Sequence, residues 1–323
     1  MKECEVNTTS ARGFSGTDFL LLLMSLIWGS NFTAIKYSLE DLQPLAFNGL
    51  RMVIATVMVV IATRMTGKDL RIDPVDRWRM FGLGLLANAC YQSLFIIGMA
   101  HTRAGNAALI VSTTPLFTAL YGRLRGRERF TKRGIFGLLL SFGGLVLIVF
   151  AGRDEVSVGD TLIGDTLLIG STICWSLYTV GSKRIVHVYG STKSTAVMML
   201  SGTPVLLLLC TPALISQRWS SVRTVAWGGL MFSAIFSIAL AYVIWNYGVR
   251  KLGATHTAVF GYITPVVAML VAWPALGEIP TVGQVVGAAI ILVGLYLARS
   301  GVITLSPQPA KEVVEESSIG MTP

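Results

Sequence analysis

Long apolar stretches dominate the chain, separated by short polar or basic segments. A helix that crosses a bilayer needs about 20 mostly apolar residues. Ten stretches satisfy this: residues 18–38, 45–64, 78–100, 104–124, 131–150, 161–182, 194–215, 224–249, 254–276 and 281–299. Gly, Ser and Thr are scattered through them, as in helices that pack on one another inside lipid. The connections are short and leave no room for a water-soluble domain. Residues 1–17 form a polar tail. Residues 301–323 form a second, whose stretch SPQPAKEVVEESSIGMTP is expected to be disordered. The first span is too long for a secretory signal and lacks an obvious small-residue cleavage site.

The pattern repeats. Shifted by 150 positions, Gly98 falls on Gly248, Ala104 on Ala254, Ala108 on Ala258, and Thr114-Pro115 on Thr264-Pro265. The register continues without a gap through Glu128 and Glu278, Thr131 and Thr281, Gly137 and Gly287, and Gly144-Leu145 and Gly294-Leu295. Earlier, at a shift of 147, Trp28 and Lys36 fall on Trp175 and Lys183. Residues 18–150 and 151–300 therefore read as two five-span copies. Five is odd, so the second copy enters the membrane from the opposite side. The expected fold is all-α and integral to the membrane, with ten transmembrane helices as two inverted five-helix repeats, an architecture typical of secondary transporters.

Composition fits a lipid environment. Only 13% of the residues are charged and 53% are hydrophobic, against about 25% charged in ordinary soluble domains. The net charge of +9 is not spread evenly. With the N-terminus inside, 20 of the 26 Lys and Arg residues fall in inner segments and 4 in outer ones. Excess Lys and Arg mark cytoplasmic loops, so both termini are expected in the cytoplasm. The basic run GRLRGRERFTKR becomes a topology anchor, and no nucleic-acid partner is expected. The loop around Glu128 is arginine-rich, whereas its counterpart WPALGEIPT around Glu278 has no Lys or Arg. Opposite sidedness requires that difference. Cys4, Cys90, Cys174 and Cys210 are too scattered for a metal site or a disulfide framework. They read as one tail thiol and three buried ones.

WGSNFTAIK in span 1, Arg51 in span 2, the Pro115–Glu128 and Pro265–Glu278 spacings, and the Gly-rich fifth and tenth spans resemble the EamA family of the drug/metabolite transporter superfamily. The resemblance runs over the whole chain between the tails. It implies a ten-helix permease with helices 1, 3, 4, 6, 8 and 9 around a central cavity and helices 5 and 10 peripheral. Many such members are bacterial exporters of amino acids and related metabolites. One departure is Trp175-Ser176 in span 6 where span 1 has Trp28-Gly29, which puts close backbone packing there in question.

Enzymatic parts are weak. His101, His187 and His256 fall near loops and form no zinc cluster. There is no nucleophile elbow or Walker loop, and no pair of carboxylates in the middle of a span. Transport has parts. Pro115 and Pro265 each fall near mid-span, where proline is expected to kink the helix, removes a backbone hydrogen bond and leaves the carbonyls of Val111 and Gly261 underused. Such backbone must be covered by protein or line a polar cavity. Ser112, Thr113 and Thr114 lie beside one proline, Tyr262 and Thr264 beside the other. Asn31, Asn88 and Gln92 are costly in lipid and face protein or water. Trp28, Tyr91, Trp175 and Tyr178 either line a cavity or pack between helices. Span 8 offers Trp245 on one face, Tyr242 and Asn246 on another. Lys36 is close enough to a span end to snorkel. Arg51 is deeper and must meet a partner, carbonyls or a substrate carboxylate. Glu40 and Asp41 are the nearest acids, and structural pairing is the preferred reading. Gly134, Gly137, Ser141 and Gly144, with Gly283, Gly287 and Gly294, are expected to form a seam between the repeats.

The resulting expectation is a monomeric inner-membrane permease without cofactor or metal. It would move a small metabolite outward by alternating access, an uncharged or aromatic amino acid being the favoured cargo. Cationic-drug efflux, sugar-phosphate or nucleotide-sugar exchange, and an intramembrane enzyme or non-transporting scaffold are the alternatives.

Overall fold

The computed structural model describes residues 15–101, 107, 110–125, 128–151, 162–276 and 281–304. Ala104, Ala108, Gly126, Asp160, Glu278, Cys4 and most of both tails lie outside the described residues.

The described chain folds into helices α1 (Gly16–Leu39), α2 (Pro44–Met65), α3 (Pro74–His101), α4 (Thr114–Leu124), α5 (Lys132–Ala151), α6 (Leu162–Tyr189), α7 (Ser191–Ser216), α8 (Thr224–Leu252), α9 (Ala254–Ala275) and α10 (Val282–Gly301). A short antiparallel ribbon pairs Glu128–Phe130 with Val302–Thr304. Among the described residues, α1, α2, α3, α7, α8 and α9 are six helices long and apolar enough to cross a membrane.

Local chemistry sets the helix ends. Ser15 caps α1, its hydroxyl and backbone N–H both meeting the Asp18 carboxylate. Pro44 and Pro74 open α2 and α3, in a first turn where the missing N–H has no helical partner anyway. Gly253, at φ 93°, turns the chain directly from α8 into α9, a conformation open to glycine at little cost.

Two helices depart from α geometry at matching places. Leu85–Cys90 in α3 and Ser233–Leu240 in α8 are π-helical. A π turn is wider than an α turn and often accompanies a functional site.

Packing pairs the two halves. α1 lies on α9 as α6 lies on α4, and α1 lies on α8 as α6 lies on α3. Helices α2 and α7 pack together, and α5 packs chiefly on α10 at the edge of the bundle. The α5–α10 contact is antiparallel and reciprocal. A Cβ on Gly137 would come within 2.7 Å of Gly294 O, and one on Gly144 within 2.7 Å of Gly287 O. Between them, Ser141 Oγ donates to Ile291 O at 3.3 Å. The small-residue seam expected from sequence is therefore present.

Polar clasps close both ends. Arg223, at the start of α8, meets Glu40 at 2.6 Å and Asp41 at 2.8 Å beyond α1. At the other end Asp76 in α3 lies 3.6 Å from Arg184 and accepts from the Tyr189 hydroxyl at 3.1 Å. The expectation of three buried thiols needs correction: Cys210 is buried, Cys174 half-buried and Cys90 exposed. The wide turn ending at Cys90 points that side chain out of the bundle.

Candidate functional site

A cavity of about 80 Å³ lies inside the bundle. Its walls come from α1, α3, the start of α4 with the turn before it, α6, α8, α9, and one side chain of α2. Six of these are the cavity helices that the sequence resemblance implied. Arg51 on α2 is the addition.

Seven of the nineteen lining residues are aromatic. Trp175 is their centre, with ring centroids 5.9 Å from Trp28, 4.7 Å from Tyr91, 4.9 Å from Tyr242 and 5.4 Å from Trp245. Such pairs add about 0.5–1.5 kcal/mol each beyond area burial, so the wall is held together by itself. Two of the three indole N–H groups find partners. Trp28 Nε1 donates to Ser237 O at 2.9 Å, a carbonyl of the α8 π segment, and Trp245 Nε1 donates to Thr179 Oγ1 at 3.2 Å.

Arg51 is only 2% exposed and lines the same cavity. Its Nε donates to Asn48 Oδ1 at 3.0 Å, one terminal nitrogen to Ser233 Oγ at 2.9 Å, and the other to Gln92 Oε1 at 2.8 Å. The Phe47 ring lies 4.9 Å from the guanidinium carbon. All these partners are neutral, and among the described residues no carboxylate pairs with Arg51. The expected pairing with Glu40 or Asp41 is overturned, because both acids are held by Arg223 at the end of the bundle. Gln92 ties this group across the cavity by donating Nε2 to the Tyr242 hydroxyl at 2.5 Å.

A family model described as the EamA-like transporter family matches residues 15–150 and again residues 162–300. The chain belongs to the EamA-like transporter family. It is 29% identical over 298 residues to "Uncharacterized transporter YyaM" of Bacillus subtilis (strain 168), covering 91% of this chain and 96% of that protein. It is 26% identical over 278 residues to "Probable terminal-alkyne amino-acid exporter" of Streptantibioticus cattleyicolor, covering 86% of this chain and 91% of that protein. A solved crystal structure matches with a TM-score of 0.76 at 18% identity, covering 88% of this chain and 97% of that one, a likeness of fold.

In this EamA-like transporter, a multi-pass membrane protein, the remaining candidates sort by place. Trp28, Asn31, Tyr91, Gln92, Ser112, Trp175, Trp245, Thr264 and Pro265 line the cavity. Asn88, Thr113, Tyr178, Tyr262 and Pro115 do not. Asn88 Nδ2 bridges Gly84 O and Met198 O, where α3 and α7 cross closely. The Tyr178 hydroxyl exchanges hydrogen bonds with the Asn246 amide. Tyr262 reaches Leu138 O of α5 at 3.4 Å. Lys36 is exposed at the end of α1.

The proline expectation changes in the first copy. Pro115 opens a new helix at Thr114 after a turn at Ser112-Thr113, so the chain breaks there where a bend was expected. The Val111 carbonyl is not underused: Thr114 Oγ1 donates to it at 2.6 Å, as Thr113 Oγ1 does to Ile110 O. Ahead of Pro265 the helix tightens to a 3-10 turn at Phe260–Tyr262.

The EamA-like transporter keeps close packing at Trp175-Ser176. Ser176 is buried and its hydroxyl donates to Thr114 O at 3.2 Å, while Gly29 lets the Thr264 carbonyl approach. Sequence reading missed Ser233, Ser237 and Asn48. The shift of 150 from Gln92 to Tyr242 is the signal that pointed to that face of α8.

Proposed function

We propose that the protein is a monomeric inner-membrane permease with ten spans in two inverted five-helix repeats, residues 18–150 and 151–300, and both termini cytoplasmic. It carries a small amphipathic metabolite outward by alternating access, an amino acid with an uncharged or aromatic side chain. The observation that carries this reading is the meeting of repeat-equivalent residues around one aromatic cavity: Trp28 with Trp175, and Gln92 with Tyr242. Sites between inverted repeats lie at the repeat interface, where one half rocks against the other. The named amino-acid exporter among the relatives supports the cargo class.

The cavity is smaller than the roughly 150 Å³ that takes up a benzene ring, so a ring-bearing cargo enters only when the walls part. The alternatives fit less well. A sugar-phosphate site calls for several cationic groups, and the cavity has Arg51 alone among the described residues. A cationic drug calls for a carboxylate, and none is among its lining residues. Nor do they offer paired acid and base for hydrolysis.

The test is counterflow in proteoliposomes. Vesicles loaded with unlabelled phenylalanine, leucine or methionine should take up the same labelled amino acid transiently above equilibrium. Protein-free vesicles should not. Absence of exchange across the panel would remove the amino-acid reading.

A further inference from the structure

We infer that the cavity reads both ends of an amino-acid zwitterion, with Arg51 taking the carboxylate and Asn31 Oδ1 with Thr264 Oγ1 taking the ammonium. This rests on the permease reading and adds its specificity residues.

The repeat supplies the comparison. At a shift of 147, Arg51 corresponds to Met198, which is 1% exposed. The scaffold therefore needs only a buried apolar side chain at that position, and the first copy places a cation there. Burying a charge is costly unless it is paired. The neutral oxygens of Asn48, Ser233 and Gln92 orient the guanidinium but leave its charge uncancelled. They take three of its five N–H groups, one on each nitrogen. One N–H remains on each terminal nitrogen, the pair that a carboxylate accepts as a fork.

Two further polar atoms on the wall are unused. Asn31 Oδ1 and Thr264 Oγ1 are buried and have no hydrogen-bond partner. Their repeat counterparts are satisfied. Asn31 corresponds to Tyr178, which is bonded to Asn246, and Thr264 to Thr114, which donates to Val111 O. Buried polar atoms are rarely left unpaired without a functional reason. An oxygen acceptor suits an ammonium, and Trp28, on the same helix as Asn31, gives a cation a π face. Charge and acceptors then line one cavity with an aromatic surface, so the cargo must carry both an anion and a donor cation on an apolar body.

The experiment uses two matched probe sets in counterflow: L-phenylalanine with 3-phenylpropionate and 2-phenylethylamine, and L-leucine with 4-methylpentanoate and 3-methylbutylamine. Wild type should prefer the amino acid over either analogue by at least about 100-fold in kcat/KM, because a site that hydrogen-bonds a group rejects cargo lacking it. Arg51→Gln should raise KM for the amino acid and erase the preference over the amine. Asn31→Leu and Thr264→Val should each erode the preference over the deaminated acid while leaving thermal stability unchanged. Should Arg51→Gln fail to fold, the wild-type selectivity and the other two variants still decide. A wild type that exchanges the amine or the deaminated acid as well as the amino acid overturns the assignment and leaves the permease standing. A wild type that exchanges none of the six overturns both.

Discussion

Thr56 and Thr203 stand 147 positions apart and share a hydrogen bond of 2.8 Å between their hydroxyl oxygens. The same shift relates Trp28 to Trp175, whose rings touch. At a shift of 150, Gln92 meets Tyr242 and Ser141 meets Ile291. Self-meeting of equivalent positions is what a two-fold axis produces. These four contacts join α2 to α7, α1 to α6, α3 to α8 and α5 to α10.

The Thr56–Thr203 bond can be weighed by a double-mutant cycle. Thr56→Val or Thr203→Val alone should cost about 1 kcal/mol, because the surviving hydroxyl loses its cross-helix partner. The double variant should cost clearly less than the sum. Thermal unfolding in detergent measures it, and strict additivity would show that the two hydroxyls do not interact.

At the α5–α10 seam, Gly137→Ala should destabilise by about 1–3 kcal/mol, as overpacking does. Its Cβ would sit 2.2 Å from Ala298 N. Gly143→Ala on the same helix meets nothing within 4 Å and should unfold at the wild-type temperature. Equal behaviour of the two variants would mean that the seam is looser than described.

The proposed orientation, with both termini in the cytoplasm, rests on the positive-inside split. In a background free of native cysteines, Ser221→Cys should react with an impermeant thiol reagent added outside intact cells. Lys68→Cys, beyond the other end of α2, should react only after permeabilisation. The opposite pattern would invert the assignment of termini.

Arg223 makes its clasp with Glu40 and Asp41 pH-sensitive. Its side-chain hydrogen bonds hold the Asp41 carboxyl below the ordinary range, and Asp41 and Glu40 raise Arg223 in turn. A lowered carboxyl pKa stabilises the fold above the unfolded value, about 3.9, and the effect is lost as pH falls through the folded value. The difference in unfolding temperature between wild type and Arg223→Gln should therefore be present at pH 7, small because the pair is exposed, and gone at low pH. It should also shrink in high salt. A difference that is constant with pH would assign Arg223 a packing role.

No carboxylate lines the cavity among the described residues, so coupling to protons has no acid there to use. Net flux is expected to follow the cargo's own gradient. With cargo equal on both sides of a proteoliposome and a pH gradient imposed, no lasting accumulation should appear. Accumulation abolished by a protonophore would locate coupling elsewhere, with Glu278 and Asp165 the first carboxylates to neutralise.

The long helices and their pairing were legible because lipid demands long apolar runs and because the 150-position register survives in Gly, Thr and Pro. The partners of Arg51 were not. Glu40 and Asp41 are near it in sequence, but Gln92 and Ser233 reach it from 41 and 182 positions away. Tyr178 and Tyr262 were cavity candidates that pack elsewhere, because an aromatic residue at mid-span looks alike whichever way it faces, and helix crossing decides that. The π turns left no trace, since one surplus residue inside a continuous apolar run changes no pattern.

The bond from Ser176 to the Thr114 carbonyl has no twin, since Gly29 offers nothing to Thr264. A carrier with two identical halves would spend equal time open to each side. Here the two halves are fastened by different bonds, for α1 holds α9 through the Tyr37 hydroxyl on Ala275 O at 2.9 Å, and among the described residues that bond has no twin between α6 and α4. A single net hydrogen bond, about 1 kcal/mol, skews such an equilibrium about fivefold. In the proposed alternating-access cycle, Ser176→Gly and Tyr37→Phe would therefore tip the idle molecule toward opposite sides of the membrane.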